Sequence, residues 1–231
     1  MAAITHAGTT FNTTAGDKTV VATPAANDLI VIVASTSGLS GGTTACSDTQ
    51  SGTYTQVDVD RTGFSTTGVL TVWVRNALIS SATSTTFTAS QSGSTGGGLT
   101  VLRISGMTRT GSSAVLTTGG QSSGTAGTTP APVLSATPQS GNPIIAAVSN
   151  GTNSTTTVTQ RSGYTEDFDN GYNTPATGLE VCHLNSGETS ATLTFGSTTA
   201  TAFASVGIEL DTTSPPAVTG VGWGYGTGGW W

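Results

Sequence analysis

Asp28-Leu-Ile-Val-Ile-Val33 and Asn142-Pro-Ile-Ile-Ala-Ala-Val148 have one design: a polar residue opens each run, and unbroken apolar side chains follow. Runs this short and rich in β-branched residues read as strands, and the lack of polar alternation predicts cover on both faces. They are therefore the expected sheet centres. Their starts lie 114 residues apart, and the same spacing separates Thr23-Pro24 from Thr137-Pro138.

Working outward, the other elements recur in the same order. Ser51-Gly-Thr-Tyr54-Thr answers to Ser162-Gly-Tyr164-Thr. Leu70-Thr-Val72 followed by Ser81-Ala-Thr83 answers to Leu179-Glu-Val181 followed by Ser190-Ala-Thr192. Leu99-Thr-Val-Leu-Arg-Ile104 answers to Ala204-Ser-Val-Gly-Ile-Glu-Leu210. The spacing shrinks from 114 to 109 and below, as loop deletions between fixed strands would make it do. The chain is thus read as a duplication, with halves at about residues 10–107 and 128–211.

Gly, Ser, Asn and Asp clusters bound the runs, no window carries a helical apolar stripe over three turns, and 32 glycines make long helices costly. The fold class expected is an all-β, antiparallel, jelly-roll-like β-sandwich with two pseudo-equivalent halves and an extended C-terminal tail. Residues 1–211 are taken as one sandwich, with two smaller sandwiches as the alternative. In Thr71-Val-Trp-Val-Arg75 the alternation predicts Val72 and Val74 inside, and Thr71, Trp73 and Arg75 on a wetter face.

Composition excludes several roles. Charged residues are 8% of the chain, and 49 Thr with 27 Ser supply a third of it, so the surface is hydroxyl and amide. Net charge is −6, and the six cations (Lys18, Arg61, Arg75, Arg103, Arg109, Arg161) are scattered, which disfavours binding to a phosphate backbone. No apolar run approaches the ~20 residues of a spanning helix. Met1 to His6 lacks the basic and apolar regions of a secretion signal, so export by that route is not expected. Cys46 and Cys182 are expected to be reduced, although a bridge stays open.

Catalytic signals are weak. Gly120-Gln-Ser122-Ser-Gly124 matches a nucleophile elbow but has no following helix, and Gly224 to Gly229 matches a dinucleotide fingerprint without a helix to hold the pyrophosphate. His6 and His183 have no metal-ligand spacing. Asp58-Val-Asp60 is read with both carboxylates on one strand face, and Glu166-Asp-Phe-Asp169 as a local cluster near the equivalent place. Both are taken as solvated loop charges, with Ca²⁺ binding or glycoside hydrolysis as the lesser readings. No catalytic residue, cofactor or resident metal is expected. After Asp211, residues 212–231 form a Gly/Trp-rich arm, and its Trp223, Tyr225, Trp230 and Trp231 are the candidate assembly interface.

With its duplicated halves, its Asn/Asp-entered apolar strand, its Ser-Gly-Tyr turn and its Leu-x-Val strand before Ser-Ala-Thr, the chain resembles the Gly/Thr/Ser-rich jelly-roll proteins of tailed-phage virions over residues 10–211. The resemblance implies a non-enzymatic capsid decoration protein, or a tail-associated one. Such a protein would be oligomeric and would bind the major capsid protein or other virion proteins, with no nucleic acid or membrane partner. The alternative is a carbohydrate- or receptor-binding sandwich of a fibre. Its glycan would need Trp73, Tyr54, Tyr164 and Tyr172 grouped on one exposed face.

Overall fold

The computed structural model describes residues 1–38, 42–62, 68–127, 129–151, 158–173, 176–197 and 201–214. The arm residues Trp223, Tyr225, Trp230 and Trp231 therefore lie outside the described residues. The first half runs β1 (Ala3–Asn12), β2 (Lys18–Ala22), β3 (Leu29–Ser37), β4 (Ala45–Asp48), β5 (Tyr54–Gln56), β6 (Arg61–Thr62), β7 (Val69–Arg75), β8 (Thr85–Ser90) and β9 (Gly96–Ser105). A single 3₁₀ turn, Gly111–Ala114, leads into the second half. There follow β10 (Val115–Gly127), β11 (Ile144–Asn150), β12 (Val158–Thr159), β13 (Thr165–Asn173), β14 (Ala176–Leu184), β15 (Gly196–Ser197) and β16 (Thr201–Leu210). The protein is all-β and antiparallel, as the short β-branched runs require.

The large sheet of the first half has the order β1-β9-β3-β7-β5, with β6 also pairing β7; that of the second half has the order β10-β16-β11-β14-β13. The two orders correspond strand for strand, and the continuous apolar runs, now β3 and β11, sit at both centres. Each large sheet carries a small sheet on its outer face: β2-β8-β4 in the first half and β12-β15 in the second.

Alternate residues of each central strand enter different cores. Val31, Val33, Val72 and Val74 meet Ile145, Ala147, Leu179 and Val181 in a core between the two large sheets. Ile30, Ile32, Trp73 and Val101 pack with Phe87 of the small sheet in a second core. Ile144, Ala146, Val148 and Cys182 pack with Leu193 and Phe195 in a third. The layers are therefore small, large, large, small, and every residue of β3, β7 and β11 is buried.

That layering corrects the reading of β7. Thr71, Trp73 and Arg75 do not form a wetter face: Trp73 is 8% exposed and Arg75 3%. The small sheet covers them, and the hydroxyl and guanidinium are tolerated because each is hydrogen-bonded.

The halves meet about a pseudo-two-fold axis. Ser35 Oγ and Ser149 Oγ lie 2.7 Å apart, and they are separated by the repeat spacing of 114 residues. A residue that touches its own equivalent marks the axis of an isologous contact. The neighbouring contacts are reciprocal, since β3 touches β14 as β7 touches β11, and β1 touches β13 as β10 touches β6.

The two reciprocal seams are filled differently. Between β1 and β13, Phe11 stacks at 4.8 Å on Tyr172 and meets Phe168 edge-on at 5.6 Å. Gly96 makes room for this stack, because a Cβ there would lie 2.6 Å from the Tyr172 hydroxyl. Between β10 and β6 the filler is Arg61, against which Gly120 is flush; a Cβ at that position would lie 2.5 Å from Arg61 Nε.

Candidate functional site

Most of the chemistry-bearing residues singled out in the sequence are engaged within the fold. Ser122 and Ser123 lie in regular ladder on β10, opposite Ala204 and Phe203, so no strand-to-helix elbow exists there. Asp58 and Asp60 do not share a strand face. They occupy the irregular segment between β5 and β6, where Arg61 clamps Asp58 through two 2.7 Å bonds and Gln56 Nε2 donates to Asp60. A shallow depression lined by Gln56, Val57, Asp58, Val59 and Thr118 adjoins them. Cys46 and Cys182 are free thiols buried in separate outer cores. His6 is exposed on β1, whereas His183 is buried on β14 with Nδ1 2.8 Å from Asp167.

The aromatics offered for glycan binding do not form an exposed platform. Trp73 and Tyr164 are buried, while Tyr54 and Tyr172 are half-buried. The equivalent tyrosines are held in matching ways. Tyr54 donates to Asp48 at 2.8 Å, and Arg75 Nε donates to the same carboxylate at 2.7 Å. Tyr164 donates to Glu188 at 2.9 Å, and Arg161 Nε donates there at 2.9 Å.

Burial opposes ionisation of Asp48, but its bonds from Arg75, the Gly52 amide and Tyr54 outweigh that and hold its carboxyl below the usual range. Glu188 behaves alike, with Arg161, the Ser190 amide and Tyr164 overcoming burial. These are structural corner locks, built twice from different sequence positions.

One cluster is not satisfied in this way. Glu166 and Asp169 are not loop charges: both sit on β13, where register places Glu166 opposite Cys182 and Asp169 opposite Glu180 of β14, with a bulge between Glu166 and Phe168. The bulge returns both side chains to the face carrying Glu180. One carboxylate oxygen from each of Glu166, Asp169 and Glu180 lies within 4.8 Å of the others.

Glu166 is exposed, Asp169 is half-buried, and Glu180 is only 2% exposed with neither carboxylate oxygen hydrogen-bonded. Burial, then the charges of Asp169, Glu166 and Asp167, push the Glu180 carboxyl up to about 9. Burial and then Glu166 raise Asp169 to about 7. A buried carboxylate without a donor is costly, so the site must take up either a proton or a cation.

Glu180 was missed by sequence reasoning, although a signal was present. Leu179-Glu-Val181 repeats Leu70-Thr-Val72 with a carboxylate in place of Thr71, a residue read as lying on a wetter face that the structure shows to be covered. Comparison with protein-family models, with curated proteins and with solved structures finds no match to this chain.

Proposed function

We propose that this chain is a non-enzymatic structural protein of a phage virion, a capsid decoration protein that binds the outside of the shell as an oligomer assembled in the host cytoplasm. The observation that carries this reading is how thoroughly the scaffold engages its own cations. Arg61, Arg75, Arg103, Arg109 and Arg161 each pair with a carboxylate of the same chain, and Lys18 Nζ donates to the carbonyls of Thr14 and Gly16.

What remains outside is a surface of hydroxyls and amides on a four-layer body, suited to a passive and durable attachment. Phosphate binding would need clustered free cations, and a hydrolase would need opposed carboxylates across a cleft. Among the described residues Glu166 and Asp169 gather with Glu180 and not with Asp58 or Asp60. The fibre-type glycan binder is the lesser reading, since none of its four aromatics stands on an open face.

Co-sedimentation with empty shells of the cognate phage tests the proposal, using the intact chain and a chain lacking residues 212–231. Shell binding by the intact chain, lost on truncation, supports decoration through the arm. An intact chain that stays monomeric and ignores the shell contradicts it.

A further inference from the structure

We propose that Glu166, Asp169 and Glu180 form a binding site for one hard divalent cation of the Ca²⁺ class, located on the outer face of the β13-β14 ribbon in the second half. The inference does not depend on the virion reading. The first support is geometric. Three carboxylate oxygens within 4.8 Å of one another can share one ion, because Ca²⁺ holds oxygens at about 2.3–2.6 Å and a shell of that radius spans nearly twice as much. The donors are all oxygen and include no thiolate or imidazole, which selects a hard cation.

The second support is independent of the clustering. Glu180 is a buried carboxylate with both oxygens unpartnered, and they face Glu166 and Asp169 rather than any cationic side chain. Every other buried carboxylate of a comparable kind here has a partner: Asp48 has Arg75, Glu188 has Arg161, Asp167 has His183, and Glu209 has Asn142 and Thr117. Glu180 stands apart among the described residues.

The third support is the other half. Register aligns Gln56 opposite Trp73 as Glu166 lies opposite Cys182, and the spacing of 109 carries Thr71 to Glu180. The corresponding corner thus holds a neutral amide, Gln56, bonded to Asp60, and a Thr71 hydroxyl bonded to Ala34 O and Trp73 Nε1. One fold position holds a single, hydrogen-bonded carboxylate, Asp60, beside neutral side chains in one half, and is triply acidic with its buried member unsatisfied in the other. A bound ion would satisfy the second corner.

Glu180 supplies the buried anchor, while Asp169 and the exposed Glu166 close the outer side, where water completes the shell. Sheet geometry fixes the first two ligands before the ion arrives, and the exposed third gives it an entry path.

Calorimetric titration of CaCl₂ into the full chain, stripped of metal by a chelator, tests this. One ion per chain is expected, with a rise in melting temperature. Glu180→Gln should weaken binding at least about tenfold, as loss of a buried charged ligand would. Glu166→Gln changes an exposed side chain, leaves the core untouched, and should weaken binding several-fold. Asp60→Asn, in the first-half corner, should leave it unchanged. Absence of both heat and thermal shift at about 5 mM CaCl₂, roughly fivefold above the weak end of known calcium modules, overturns the site. So does binding that survives both Glu166→Gln and Glu180→Gln, and binding of MgCl₂ as tight as CaCl₂ overturns the Ca²⁺ class.

Discussion

The first half pairs its buried carboxylates, whereas the second half, with the same strand order, leaves one carboxylate group open. At the entry to the central strand the first half places Asp28 3.7 Å from Arg103. The second places Asn142, whose Nδ2 donates at 2.8 Å to Glu209. The carboxylate has changed sides of the pair and the cation is gone, yet the contact between the entry of β3 and β9 has its counterpart between the entry of β11 and β16. The corner tyrosines repeat this: Tyr54 and Tyr164 each meet a carboxylate and an arginine, although Asp48 and Arg75 come from strands and Glu188 and Arg161 from loops. Backbone architecture therefore constrains that a buried polar group be satisfied and leaves free which residues do so. Against that background the corner of Glu166, Asp169 and Glu180 is the exception.

The largest expected effect separates the two corner locks. Arg75 uses its whole guanidinium on Asp48, Ala77 O, Leu78 O and Gln50 O, and the Asp48 side chain is fully buried. Arg75→Ala should cost about 3–5 kcal/mol in urea unfolding, because it removes the only counter-charge of a fully buried carboxylate, which keeps just the Gln50 and Gly52 amides and Tyr54. Arg161 is more exposed, its side chain 21% accessible against 4% for Arg75, so Arg161→Ala should cost about 1–2 kcal/mol. Equal losses would break the distinction between a strand-built and a loop-built lock.

The next effect concerns Glu180, faced by Glu166, Asp167, Asp169 and Cys182. The folded chain holds this proton up to about pH 9, whereas the unfolded chain releases it near 4.5. The folded state therefore binds more protons across that window, and in chelator its stability falls as pH rises through it. Glu180→Gln should flatten that slope and stabilise the metal-free protein at pH 8 by about 1–3 kcal/mol. A wild-type stability unchanged from pH 5 to 9 would show that Glu180 has a partner after all.

The smallest effect lies on the axis. Ser35 and Ser149 share a 2.7 Å bond, and Ser149 Oγ also donates to Gly178 O at 3.0 Å. A double-mutant cycle with Ser35→Ala and Ser149→Ala should give a coupling of about 0.5–1.5 kcal/mol. Additive losses would remove this contact from the joint between halves.

The duplication was legible because strand order constrains spacing. Runs such as Leu29–Val33 must recur where sheet centres recur, and the spacing of Ser35 and Ser149 is the same one that relates Thr23 and Thr137. The fate of Trp73 and Arg75 was not legible, since alternation within a strand shows which residues share a face but not whether another sheet lies over it. The acidic corner was half legible. Glu166 and Asp169 announce themselves locally, but their union with Glu180 depends on cross-strand register and on a bulge between Glu166 and Phe168, which no local pattern encodes.

The proposed cation site distinguishes two equivalent corners of one fold. Two-dimensional amide NMR of the chain during a CaCl₂ titration examines both corners at once. The account predicts shifts confined to residues around Thr165–Asp169 and Leu179–Cys182, with the corresponding residues Tyr54–Gln56 and Leu70–Trp73 unmoved. Shifts of equal size in the two halves, or none in the second, would contradict it.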